Sequence, residues 1–97
     1  MRLDERRIGE IVSRYVSNGN VEGVVVVSPD GFPVYSTVNG EKGERAAAMA
    51  ASFVSLAKRV ATDLKEGELK KVVVETDRGR VVGVPLVKGL SLLVLVK

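Results

Sequence analysis

Glu75 and Asp77 stand two residues apart, which on a strand puts both carboxylates on one face, as a paired acid and base would require. Asp77 opens an Asp77-Arg78-Gly79 turn, however, and Glu75 faces either solvent or a cross-strand Arg80 or lysine, so a surface role outweighs catalysis. Ser52 and Ser55 lie near Lys58 and Arg59. A serine–lysine nucleophile needs a desolvated lysine and an oxyanion hole, and ordinary polarity of a helix surface accounts for these four residues better. Gly40-Glu41-Lys42-Gly43 lacks the Gly-Lys-Ser/Thr ending of a phosphate-binding loop and reads as a flexible lead-in to a helix. Gly79 and Gly83 read as a turn and a close-packing position. Arg45, Arg59, Arg78 and Arg80 are each able to meet an acidic partner, or to steady charge on a transferring phosphoryl group, but no spacing singles one out.

The composition narrows the chemistry further. The 97 residues include no Cys and no His, which removes thiol nucleophiles, disulfides, histidine bases and the usual zinc ligands. The expectation is a chain without catalytic residues, metal or cofactor. Fifteen basic and twelve acidic residues give a net charge of +3, with the signs interspersed, and there are only two Phe, two Tyr and no Trp. Mixed charge and scarce aromatics argue against a nucleic-acid partner. Neither an apolar leader nor an apolar run of membrane-spanning length stands out, so the expected location is cytoplasmic, without membrane insertion. Abundant charge and the absence of Gln lean towards a heat-adapted source, against which Asn18-Gly19 and Asn39-Gly40 count.

The elements that position these residues follow from periodicity and turn chemistry. A first helix is expected from about Asp4 to Ser17, with Ile8, Ile11, Val12, Tyr15 and Val16 on one face, Asp4 as N-cap and Asn18-Gly19 as stop. A hairpin follows, with strands at about Glu22–Ser28 and Phe32–Thr37 around Ser28-Pro29-Asp30-Gly31. The stretch Val38–Gly43 reads as a loop and Glu44–Lys65 as a second helix ended by Gly67. Three more strands, about Lys70–Thr76, Arg80–Leu86 and Leu90–Val96, form a meander. The apolar runs Val24–Val27, Val72–Val74 and Leu92–Val96 are nearly continuous, so both faces of the sheet are expected to be covered, one helix on each. The whole is one α+β domain over residues 1–97, an αββαβββ chain with a five-stranded antiparallel sheet in the order 2-1-5-4-3.

A chain this short buries only roughly 60–68% of its unfolded surface, so a shared interface would help it. The second helix carries more apolar residues than one sheet can cover. Ala46, Met49, Ala50, Phe53, Leu56, Ala57, Val60 and Leu64 form the expected core stripe. Beside it, Ala47, Ala51, Val54 and Ala61, with Lys58 at the edge, form a small-residue stripe suited to a close helix contact with a second copy. The third strand, with Val72, Val73 and Val74, is the edge open to pairing across a two-fold axis, despite Lys70 and Lys71, giving a continuous ten-stranded sheet. Pro33 blunts the opposite edge.

Taken in order, Val21-Glu22-Gly23-Val24, Asp30-Gly31-Phe32-Pro33-Val34, the helix Ala46–Ala57 and the ending Pro85–Val94 resemble the roadblock/dynein-light-chain domains, in particular their small prokaryotic members. The resemblance implies a profilin- and longin-like fold and dimerisation through the second helix and third strand. It also implies a non-enzymatic role as regulator or scaffold of a small Ras-like GTPase, activating or anchoring it. The surface expected to meet that partner includes Ala48, Ser52, Ser55 and Arg59. The alternative is a structural dimerisation adaptor for a partner that is not a GTPase.

Overall fold

The computed structural model describes residues 5–15 and 20–97. Among these residues two α-helices and five strands occur in the expected order, with a 3-10 turn at Val87–Gly89 before the last strand. They are α1 (Glu5–Tyr15), β1 (Val21–Val27), β2 (Pro33–Ser36), α2 (Gly40–Lys65), β3 (Val72–Thr76), β4 (Gly79–Pro85) and β5 (Ser91–Val96). The strands form one sheet in the order β2-β1-β5-β4-β3, as expected, and every neighbouring pair is antiparallel. The N-cap expected at Asp4 and the stop expected at Asn18-Gly19 lie outside the described residues, as do Val16 and the side chains of Ile8, Val12 and Tyr15.

The hairpin closes as its sequence dictates. Gly31 N–H donates to the Ser28 carbonyl at 3.0 Å, Ser28 N–H donates to the Phe32 carbonyl at 2.9 Å, and the Ser28 hydroxyl accepts from Phe32 N–H at 3.2 Å. Where β2 stops, Thr37 carries on the ladder. Its N–H donates to the Val24 carbonyl, and its Oγ1 accepts from Val24 N–H, both at 2.9 Å. At the other edge, β3 pairs with β4 only as far as Val72 opposite Gly83, so Pro85 lies past the end of β3. Leu86 N–H reaches the Leu90 carbonyl on the β5 side, so the Pro85 nitrogen, one residue earlier, points towards the unpaired edge and costs no ladder bond.

The apolar runs of β1 and β5 resolve into two cores, whereas that of β3, at the sheet edge, does not, since Val73 and Val74 are exposed. Val24, Val26, Val82, Val84, Leu92, Val94 and Val96 line one face, with Ile11 of α1 packed against them. Val25, Val27 and Leu93 line the other, under Ala46, Ala47 and Ala50 of α2. Alternate residues of β1 and β5 thus serve opposite cores, which is why neither strand shows a polar face. Each fully buried valine or leucine contributes about 1.5–3 kcal/mol over its exposed state.

α2 differs from expectation at its start and in the face it buries. It begins at Gly40, so the segment read as a loop supplies its first turn. Gly43 is therefore a buried helical residue, and a Cβ there would collide with the Val38 carbonyl oxygen. At the other end Glu66, not Gly67, takes the left-handed conformation (φ 54°), with Glu66 N–H bonded to Thr62 O and Gly67 N–H to Ala61 O.

The face that α2 buries is rotated from the expected one: Ala46 and Ala50 lie in the core as expected, with Phe53 packed against it, but the large residues of that stripe do not. Ala47 and Val54, expected at a contact between copies, are 0% and 1% exposed beneath α2, so neither is available to a second molecule. Met49, Leu56 and Leu64, expected in the core, are 64%, 62% and 73% exposed, and Val60 is exposed as well. The sheet already presents branched valines and leucines, so the helix settles on its smallest side chains, where the backbones come closest. Gly83 of β4 completes that fit. A Cβ there would stand 3.0 Å from Val54 Cγ2 and 3.1 Å from both Phe53 Cε2 and Val72 Cγ1.

Candidate protein-binding surface

The residues chosen for chemistry do not converge. Glu75 sits directly opposite Arg80 in the β3–β4 register, and both are exposed. Asp77 lies in the following turn, which is held by Thr76 Oγ1, accepting from Arg78 N–H and donating to the Gly79 carbonyl, both at 3.0 Å. Ser52, Ser55, Lys58 and Arg59 are all exposed on α2. Gly40-Glu41-Lys42-Gly43 forms the first turn of α2. Among the described residues there is no cluster of acidic side chains able to hold a metal ion, and no helix is long and apolar enough to cross a membrane.

What the fold assembles instead is an apolar flank. Met49, Leu56 and Val60 lie exposed along α2, with Phe53 half-buried between them. They follow one another at intervals of four, three and four residues, the spacing that keeps side chains on one helix face. Between this flank and the sheet runs a groove of about 560 Å³. Its floor is Val74, Val81, Leu93 and Leu95, its wall is Met49 and Phe53, and Lys42 and Arg45 stand at its N-terminal end. Beside it lies β3 with its outer edge open, Val73 and Val74 exposed and Val72 half-buried.

The remaining residues proposed from sequence fall around this flank. Ala51 and Ala61 are half-buried on α2, Ala51 packed against the core, and Lys58 is exposed. Ala48, Ser52, Ser55 and Arg59 form the outer, solvent-facing part of the helix. A second cleft, of about 730 Å³, opens between α1, the end of α2 and the end of β4. Arg7, Glu10, Lys58 and Glu68 line it with charges of both signs.

The exposed row of large residues was the feature sequence reasoning misplaced, although a signal for it exists. Lys42, Met49, Leu56 and Asp63 stand seven apart, on one line of the helix, and a line charged at both ends does not belong in a core. Ala47, Val54 and Ala61, also seven apart, carry no charge.

Comparisons with solved structures support the fold. A roadblock/LC7 domain from Streptomyces avermitilis superposes with a TM-score of 0.75 at 24% identity, covering 80% of this chain and 67% of that one. Myxococcus xanthus MglB gives a TM-score of 0.72 at 17% identity, covering 97% and 78%. An MglB structure described as having a tetrameric arrangement gives 0.70 at 13% identity, covering 99% and 76%. No curated protein is significantly similar in sequence. The model of the roadblock/LC7 domain family matches residues 7–96, nearly the whole chain, and the protein belongs to that family.

Proposed function

We propose that the protein is a non-enzymatic homodimer that regulates or scaffolds a small Ras-like GTPase. The observation that carries the homodimer is the exposed Met49–Phe53–Leu56–Val60 flank beside the open edge of β3. A helix face with four large apolar side chains at contact spacing is a surface that water disfavours and a second copy would cover. The interface proposed here keeps Val72, Val73 and Val74 from the sequence reading and replaces Ala47 and Val54 with the large residues of the flank. Roadblock/LC7 membership and the tetrameric arrangement named for a similar MglB structure support self-association.

The GTPase reading rests on the family resemblance. Ala48, Ser52, Ser55 and Arg59, outward from the flank on α2, would remain open on such a dimer and form the platform for the switch regions of the partner. The domain would act through shape, shifting the partner towards a hydrolysis-competent arrangement, with no side chain of its own in the reaction. The test is capture by the immobilised protein of small Ras-like GTPases from the same genome, loaded either with a non-hydrolysable GTP analogue or with GDP. Retention of one of them, with preference for one nucleotide state, is the expected result. Retention of none, together with an unchanged rate of GTP hydrolysis when the proteins are mixed, would contradict it.

A further inference from the structure

We propose that the cleft between α1, the end of α2 and the end of β4 binds an extended segment of a protein partner, which adds to the uncovered edge of β4. The backbone carries the argument. β3 leaves β4 after Val72 opposite Gly83, while β4 runs on to Pro85. Leu86 continues it in extended conformation (φ -112°, ψ 179°), and its N–H bonds to the Leu90 carbonyl on the β5 side. In an extended chain the carbonyl before such a residue and the N–H after it point the opposite way. The Pro85 carbonyl and the Val87 N–H therefore face the side that β3 has vacated, where neither has a backbone partner among the described residues. One acceptor and one donor bracketing Leu86 are the groups to which a further strand would bond. Pro85 has no N–H to offer, so this pair is all that the edge provides and the added segment is short.

The side chains around this edge set the chemistry of the segment. Ile11, Leu69 and Val84 give the cleft an apolar lining, while Glu10 and Glu68 stand with Arg7 and Lys58 around it. Charges of both signs about an apolar lining complement an apolar residue flanked by one acidic and one basic side chain. The volume of about 730 Å³ falls within the roughly 300–1,000 Å³ of ligand clefts. Lys58 lies nine residues beyond Met49, about two and a half helical turns, and so on the opposite side of α2 from the exposed flank. The inference thus goes beyond the homodimer reading and does not rest on it.

Nuclear magnetic resonance of the full, isotope-labelled chain tests the proposal with two five-residue peptides blocked at both ends, Glu-Val-Leu-Val-Lys and Lys-Val-Leu-Val-Glu, since the edge admits either strand direction. One of them should bind, moving the Val87 amide proton downfield as it gains an acceptor. Val87→Pro removes that donor. Val87 is exposed, its N–H holds no backbone bond among the described residues, and Leu86 already has the extended conformation that a residue before proline needs. The variant should therefore unfold thermally close to wild type, yet bind the peptide about 10-fold or more weakly. The peptide gives an independent readout, because its alternate amides face opposite sides. Of two versions, one N-methylated on the leucine and one on both valines, one should lose affinity about 10-fold and the other should keep it. A Val87 amide that neither peptide moves at millimolar concentration overturns the proposal. So does a Val87→Pro variant that binds as tightly as wild type, or equal affinity of the two methylated peptides.

Discussion

Gly43 shows how the absence of one atom lets the first turn of α2 approach the segment that precedes it. On helix propensity alone, alanine there would gain about 1 kcal/mol. The position, however, lies against the Val38 carbonyl oxygen, a backbone atom held by the turn into the helix, with the Ser36 hydroxyl accepting from Val38 N–H at 3.0 Å. Gly43→Ala should therefore lose stability, by about 1–3 kcal/mol as in other overpacked sites, read as a lower urea midpoint with an unchanged slope. A gain in midpoint would mean that the helix start gives way easily. Sequence could mark this glycine as special but read it as a turn, because the partner that excludes a side chain is a carbonyl five residues earlier in the chain.

At the scale of elements, the strands were the legible part. The turns at Ser28-Pro29-Asp30-Gly31 and Asp77-Arg78-Gly79 each join two paired strands, and the apolar runs of β1 and β5 require both faces of the sheet to be covered. Which side of α2 does the covering was not legible from hydrophobicity, since the apolar arc is wider than the sheet. The choice is steric: Ala47, Ala50 and Val54 allow the close approach that Gly83 and the valine-rich face require, while Met49 and Leu56 do not. The distinction has a direct consequence. Ala47→Glu places a charge under the helix and should cost the fold about 3 kcal/mol or more. Leu56→Glu, on the exposed flank, should change the unfolding free energy of the single chain by no more than about 0.5 kcal/mol. Thermal unfolding of both variants at low protein concentration checks the contrast; equal destabilisation would contradict the assignment of the two stripes.

The whole molecule is a sheet covered on both faces but with one flank unfinished. α1 and α2 close the two cores, yet the open side of β3, the groove beside it and the large residues of α2 lie on one continuous margin. A domain of this size has little buried area to spare, and such a margin is what the proposed assembly would complete. The most direct measurement is sedimentation equilibrium of the wild-type protein at micromolar concentration, with Leu56→Glu run beside it. The account predicts twice the 10.4 kDa chain mass for the wild type and a shift towards 10.4 kDa for the variant. A wild type that stays at 10.4 kDa across the concentration range, with the flank still exposed, would contradict it.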